Sequence, residues 1–276
     1  MAQTHLCSSN TKWAQRKLQT PIAWPICRSK KEVLELIVAL KIYRFNPKTD
    51  KAPHFDIFKV EAEPNERILD CLNKIRWTQD SSLSFRMSCA HGICGSDGLT
   101  INGQSALACQ KLIKDYNYQG EIVIEPLKYF EVVKDLIVDL KPFFERLKLI
   151  TPKKPQNKTN TEIKKERIQS IKERSLFDDA LKCILCGCCY GACPVTVEQD
   201  QDFVGPAAVL RAQRYIFDSR TTDETERLNI LQKPHGVWGC KSYYLCTVVC
   251  PKNIKVTEAI LRTKKKIIHE KQTKTQ

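Results

Sequence analysis

Ten of the 14 cysteines stand at spacings that build metal–sulfur chemistry. Cys183, Cys186, Cys189 and Cys193, followed by Pro194, form C-x2-C-x2-C-x3-C-P. In such a run the first three thiolates hold three irons of one cubane and the fourth reaches a second cluster. Thiolates suit the task because they are soft, anionic donors, and the proline ends the loop and redirects the chain. A partial repeat follows: Cys240, Cys246 and Cys250-Pro251 keep the first, third and fourth places, and Tyr243 takes the second. With the fourth cysteines exchanged between runs, Cys183, Cys186, Cys189 and Cys250 hold a 4Fe–4S cluster. Cys193, Cys240 and Cys246 then hold a 3Fe–4S cluster, because a cubane corner with no thiolate tends to lose its iron. Tyr243 as a packed aromatic is compatible with that reading.

A third group, Cys89, Cys94 and Cys109, has the spacing of a 2Fe–2S loop, C-x4-C-x2-C…C, with Asp97 in the third position. Gly92, Gly95 and Gly98 let the backbone take positive φ and approach sulfide closely. Asp97 either ligates one iron through oxygen or is only a turn residue in a loop that holds no cluster. Cys7, Cys27, Cys71 and Cys188 fit none of these patterns and read as structural or incidental. Zinc is the competing metal, but it typically takes two separated pairs of ligands. A basic zinc or nucleic-acid-binding module would be colourless and bind DNA in a salt-dependent way.

These loops need elements to position them. The chain has 276 residues, 42% of them apolar, enough for buried cores. Its longest apolar stretch, around Val33 to Leu40, falls far short of the ~18–20 residues that span a bilayer. The net charge of +14 is uneven: residues 1–31 contain six basic and no acidic residues, and 141–174 and 252–276 are also strongly basic. The remainder is mildly acidic, so the excess reads as leader, linker and tail rather than a nucleic-acid surface. Residues 33–46 predict a strand, with Phe55 to Glu61 as hairpin partner. Apolar spacing predicts a helix over Ile68 to Trp77, and Leu99 to Ile101 and Glu121 to Ile124 predict further strands. The Lys-rich segment 151–175, opening Thr-Pro-Lys-Lys-Pro, has linker chemistry. Beyond it the pattern is helical, at Gly205 to Phe217 and Thr257 to Ile268.

The combination of loop, linker, full run and partial run resembles the iron–sulfur subunit of succinate dehydrogenase and fumarate reductase over about residues 32–270. The resembling stretches are Leu83-Ser-Phe-Arg-Met-Ser-Cys89, Ile93-Cys-Gly-Ser-Asp-Gly98, Leu136-Ile-Val-Asp139, Cys183-Ile-Leu-Cys186, Gly205-Pro-Ala207, Asp218-Ser-Arg220 and Cys246 to Lys252. The resemblance implies an α+β chain: a β-grasp 2Fe–2S ferredoxin domain at 32–145, a linker at 146–175, and an all-α helical ferredoxin domain at 176–276 carrying the 4Fe–4S and 3Fe–4S clusters. Residues 1–31 form a basic leader that is disordered or a transit peptide. The implied role is to pass electrons singly from an FAD-bearing flavoprotein subunit, which oxidises succinate to fumarate, to a quinone at a membrane anchor subunit. The reverse direction is the alternative. No catalytic acid or base for succinate, and no nucleic-acid partner, is implied on this chain.

Pro194, Trp238, Lys241 and Lys264 fall where the family's quinone vicinity lies. Here the sequence departs from the dehydrogenase branch. Val195 to Glu198 replace its tryptophans, and Lys241 stands where a histidine usually follows the cysteine. Gly236-Val-Trp-Gly-Cys240 is more like the fumarate reductase branch. Lys264 belongs to the run Lys264-Lys265-Lys266, which reads as solvated or lipid-facing charge. Ten cluster thiolates need a reducing compartment. That places the chain peripherally on the cytoplasmic face of a prokaryotic membrane, or on the matrix face of the mitochondrial inner membrane.

Overall fold

The computed structural model describes residues 36–151, 166–221 and 224–274. The leader at 1–31 and the linker stretch 152–165 lie outside the described residues.

Strand β1 (Leu36–Arg44) alternates as a half-buried strand must, with Val38, Leu40 and Ile42 fully buried. It pairs antiparallel with β2 (His54–Ala62), bringing Leu36 opposite Ala62. Helix α1 (Ile68–Thr78) covers the sheet with Ile68, Leu69, Leu72 and Ile75, the predicted apolar face. Cys71 sits in the same interface, and burial pushes its thiol up to about 12. It is a core side chain and not a ligand.

Strands β3 (Gly98–Ile101) and β4 (Gln104–Leu107) form a hairpin turned at Asn102 and Gly103, both with positive φ. Asn-Gly is the strongest short hairpin signal, and it is the signal by which β4, absent from the predicted elements, could have been found. Strand β5 (Glu121–Glu125) runs parallel to β1 and antiparallel to β3. The sheet order is therefore β2-β1-β5-β3-β4. A small pair, β6 (Val132–Lys134) and β7 (Ile137–Val138), follows.

Next comes a helix the linker composition concealed, α2 (Lys141–Ile150), which runs across residue 146. Pro142 is in its first turn, and Phe143, Leu147 and Ile150 are buried at helical spacing. The remaining elements are helical: α3 (Ile171–Ser175), α4 (Cys188–Gly191), α5 (Pro206–Ile216), α6 (Glu224–Leu231), α7 (Leu245–Val248) and α8 (Val256–Lys274). No helix among the described residues is long and apolar enough to cross a membrane.

The two cores exchange elements. Phe143, Leu147 and Ile150 of α2 join the helical core with Ala208, Val209 and Ile260. Conversely, Cys188 of α4 is buried with Leu99, Leu127 and Leu136 in the sheet core.

A buried ion cluster ties the first loop to the sheet. Arg44 reaches Asp135 at 3.2 Å and Asp56 at 3.0 Å, and donates to Ser82 Oγ at 2.9 Å. Asp135, 2% exposed, also accepts the backbone N–H groups of Phe45 and Ser84. This fixes the extended segment leading to Cys89. Arg44→Leu would leave the Asp135 carboxylate buried and unpaired, a loss of about 3–5 kcal/mol. The expected result is a large drop in the unfolding midpoint; an unchanged midpoint would mean the cluster is not what anchors this segment.

Candidate metal centres

The first site is the loop between α1 and β3. Positive φ at Ala90, Gly92 and Gly95 curls the backbone so that the N–H groups of His91, Ile93 and Cys94 point at Cys89 Sγ, at 3.5, 3.4 and 3.2 Å. Those donors favour the thiolate and draw the Cys89 thiol down to about 6. Cys94 is exposed, with its Sγ 3.2 Å from Ser96 Oγ. Asp97 and Cys109 form the inner side, each 3% exposed. The Cys109 N–H donates to Asp97 Oδ2 at 2.6 Å. The Cys109 thiol is pushed up to about 12, first by burial and then by the Asp97 carboxylate beside it.

Asp97 Oδ1 is buried with no hydrogen-bond partner. An unsatisfied carboxylate oxygen in that position is costly, and an iron at the loop's centre would satisfy it. A turn residue would not need burial of this kind. The donor set Cys89, Cys94, Asp97 and Cys109 fits a 2Fe–2S cluster.

The two later runs share one local construction. Each opens on a 3-10 turn, Asp178–Lys182 or Val237–Gly239. Each then reaches its first cysteine, Cys183 or Cys240, with the same φ −66° and ψ 120°. Positive φ follows at Leu185 or Ser242, and again at Gly187 or Tyr244. A one-turn helix, α4 or α7, carries Cys189 or Cys246. The backbone correspondence puts Tyr243 where the full run has Cys186, as the spacing predicts. Tyr243 is not packed, however: it is 51% exposed, and Gln199 Nε2 donates to its hydroxyl at 3.0 Å.

Cys183, Cys186, Cys189 and Cys250 line one pocket, walled by Phe143, Ala207, Leu210, Ile254 and Val256. Burial raises the thiols of Cys183, Cys189 and Cys250, and the charges of other members of this set add to each shift. Four converging sulfurs in a largely apolar pocket fit a cubane. Cys193, Cys240 and Cys246 line a second pocket together with Pro194, Lys241, Tyr243 and Tyr244. Burial again raises Cys193 and Cys246. The ends of the two runs thus cross: Cys250 falls with the first run, and Cys193 with the second. Three sulfurs and a tyrosine corner fit a 3Fe–4S cluster.

Of the four residues expected from the sequence at a quinone vicinity, Pro194 and Lys241 line this last pocket. Lys264 is not free in solvent. Its Nζ donates to the Cys240 carbonyl at 2.8 Å and lies 5.9 Å from the Trp238 ring, whose Nε1 donates to the Gln232 carbonyl. An exposed apolar surface adjoins the cavity at Tyr243, Tyr244, Leu245 and Val248.

The sites lie in series. A Cβ on Gly95 would fall 2.9 Å from Cys186 Cβ, and one on Gly98 would fall 2.9 Å from the Cys186 carbonyl oxygen. Both glycines therefore allow the first loop to press against a cysteine of the second site, a contact the sequence pattern did not reveal. Cys188, outside every motif, packs at the same seam, with its Sγ 3.6 Å from the position a Gly98 Cβ would take. At the far side, α4, which carries Cys189, packs against α7, which carries Cys246 of the third site.

Comparison with known proteins agrees with this layout. Residues 39–145 match the 2Fe-2S iron-sulfur cluster binding domain family, and residues 179–254 match the 4Fe-4S dicluster domain family. The chain is 37% identical over 235 residues to the succinate dehydrogenase iron-sulfur subunit of Coxiella burnetii, covering 84% of this chain and 98% of that one. It is also 37% identical over 227 residues to the fumarate reductase iron-sulfur subunit of Mycobacterium tuberculosis, covering 82% and 91%. Among solved structures, a chain of the Mycobacterium smegmatis Sdh1 complex in the apo form superposes with a TM-score of 0.76 at 25% identity, covering 86% of this chain and 98% of that chain.

Proposed function

Because the chain belongs to the iron–sulfur subunits of succinate dehydrogenase and fumarate reductase, we propose that it passes electrons singly from an FAD-bearing flavoprotein subunit to a membrane quinone. The route we propose runs through a 2Fe–2S, a 4Fe–4S and a 3Fe–4S cluster, in that order. Bound clusters supply one-electron carriers whose potentials depend on ligands, hydrogen bonds and burial. The observation that carries this reading is that the three donor sets are neighbours, with Gly95 and Gly98 pressed against Cys186 and with α4, which carries Cys189, packed against α7, which carries Cys246.

In this reading the chain's residues have distinct tasks. Cys89, Cys94, Asp97 and Cys109 hold the entry centre. Cys183, Cys186, Cys189 and Cys250 hold the middle one, and Cys193, Cys240 and Cys246 the exit. Asp97 and Cys109 form the buried side of the entry centre, and the loop's glycines keep it close to Cys186. Lys264 braces the Cys240 backbone from α8. Pro194, Lys241 and Trp238 lie at the quinone end.

The strand order with α1 across the sheet supports a β-grasp domain at 32–145, and the helices after 175 support a helical ferredoxin domain at 176–276. Residues 146–175 connect them in this reading, with α2 beginning before that boundary and running across it. The exposed Tyr243, Tyr244, Leu245 and Val248 supply an apolar surface for a membrane anchor subunit. We infer a peripheral position for the subunit, on the cytoplasmic face of a prokaryotic membrane, with the mitochondrial matrix face as the alternative. Succinate oxidation is the direction proposed. Fumarate reduction is the second reading, favoured by Gly236-Val-Trp-Gly-Cys240; the identity of 37% to relatives of both kinds favours neither direction.

The test is metal analysis and EPR of the anaerobically purified complex. Expected are about nine irons and ten sulfides per chain, one signal from an oxidised 3Fe–4S cluster, and two more on reduction. Zinc in place of iron, or a single cluster type, would sink the three-centre reading.

A further inference from the structure

Arg211 stands out among the arginines of the helical half. Arg174 and Arg220 are paired with Asp178 and Asp218, and Arg146 donates to the Tyr190 hydroxyl. Among the described residues Arg211 has no such partner, and its Nε is sealed from solvent with nothing to donate to. A partly buried guanidinium without a counter-ion is costly to desolvate, so its location calls for an anion nearby.

Helix α5 indicates which anion. Its residues Ala207 and Leu210 wall the cavity lined by Cys183, Cys186, Cys189 and Cys250. Arg211 is four residues beyond Ala207, on the same helical face and one turn further along. Gly205, with φ +87°, and Pro206 start the helix and set that face.

We propose that Arg211 is a positioning residue for charge at the middle centre, holding its reduction potential up by balancing the negative charge that arrives with each electron. This rests on the 4Fe–4S assignment above and deepens it. A cluster held by four thiolates is anionic, and reduction adds one more negative charge. A fixed cation beside it therefore favours the reduced form. The effect needs the charge but no hydrogen bond to the cluster, in keeping with an Nε that has no partner.

The experiment is a redox-poised EPR titration of the purified complex carrying Arg211→Gln, with Arg211→Lys as the charge-conserving control and Arg211→Leu as a second neutral variant. In both neutral variants the reduction equilibrium of the 4Fe–4S centre is expected to fall about tenfold, equivalent to about 59 mV for a one-electron couple. Arg211→Lys should restore most of that shift. The other two centres should move less, since α5 walls the middle cavity. An intact 4Fe–4S signal whose potential is the same in the neutral variants as in the parent overturns the inference alone. So does an equal shift at all three centres, which would mark a general structural effect. Absence of any 4Fe–4S signal in the unmutated complex removes the functional reading itself.

Discussion

Cys250→Ala is expected to abolish the 4Fe–4S signal and leave the 3Fe–4S signal in place. Iron content should fall from about nine to about five per chain. The reason is the crossing of the two runs. Cys250 belongs by sequence to the second run, yet it lines the cavity of Cys183, Cys186 and Cys189 and feels the charge of Cys186. The reciprocal variant, Cys193→Ala, should take out the 3Fe–4S centre and spare the 4Fe–4S. Had each run served its own cluster, the two phenotypes would be interchanged. EPR of the pair therefore decides the connectivity, with the intact centre in each variant acting as its own control for folding.

The second large effect is at Asp97. Replacement by alanine is expected to empty the first site, lowering iron by about two per chain and removing the 2Fe–2S signal. Two losses combine there. The oxygen donor disappears, and the Cys109 N–H loses the carboxylate that accepts it at 2.6 Å. A charge-assisted bond of this type contributes about 1.5–3 kcal/mol. Asp97→Cys restores a four-thiolate set and should keep the cluster while changing its potential, because sulfur replaces oxygen on the buried iron. A 2Fe–2S spectrum that survives Asp97→Ala unchanged would show that Asp97 is not a ligand and that its buried Oδ1 is satisfied in some other way.

Much of the site was legible because cluster ligation is local. A loop can put three sulfurs on one cubane only at short fixed spacings, so Cys183, Cys186 and Cys189 announce themselves. The replaced positions, Asp97 and Tyr243, are readable for the same reason: a departure is visible only where the spacing is strict. Period-two and helical patterns likewise predicted β1, β2, α1 and α5, whose cores are built from those very residues. The elements that escaped were short or carried mixed signals. Strand β4 is four residues, three of them small or polar, beside an Asn-Gly turn. Helix α2 has its buried Phe143, Leu147 and Ile150 masked by surrounding lysines and arginine that resemble linker.

The sequence by itself determined which residue types could hold metal and how many centres the chain has donors for, since those depend on ligand chemistry and neighbour spacing. Only the tertiary structure decided how the centres meet. Gly95 and Gly98 read locally as turn glycines, but the absence of their side chains is what lets the first loop contact Cys186. Lys264 reads as one charge in a basic tail, but α8 brings its Nζ to the Cys240 carbonyl. Arg211 reads as one more basic residue on a helix, but α5, whose Ala207 and Leu210 wall the middle pocket, buries its Nε with no partner among the described residues. These relations join residues far apart in the chain, and packing creates them by choosing which faces are brought together and which charges are left there without a partner.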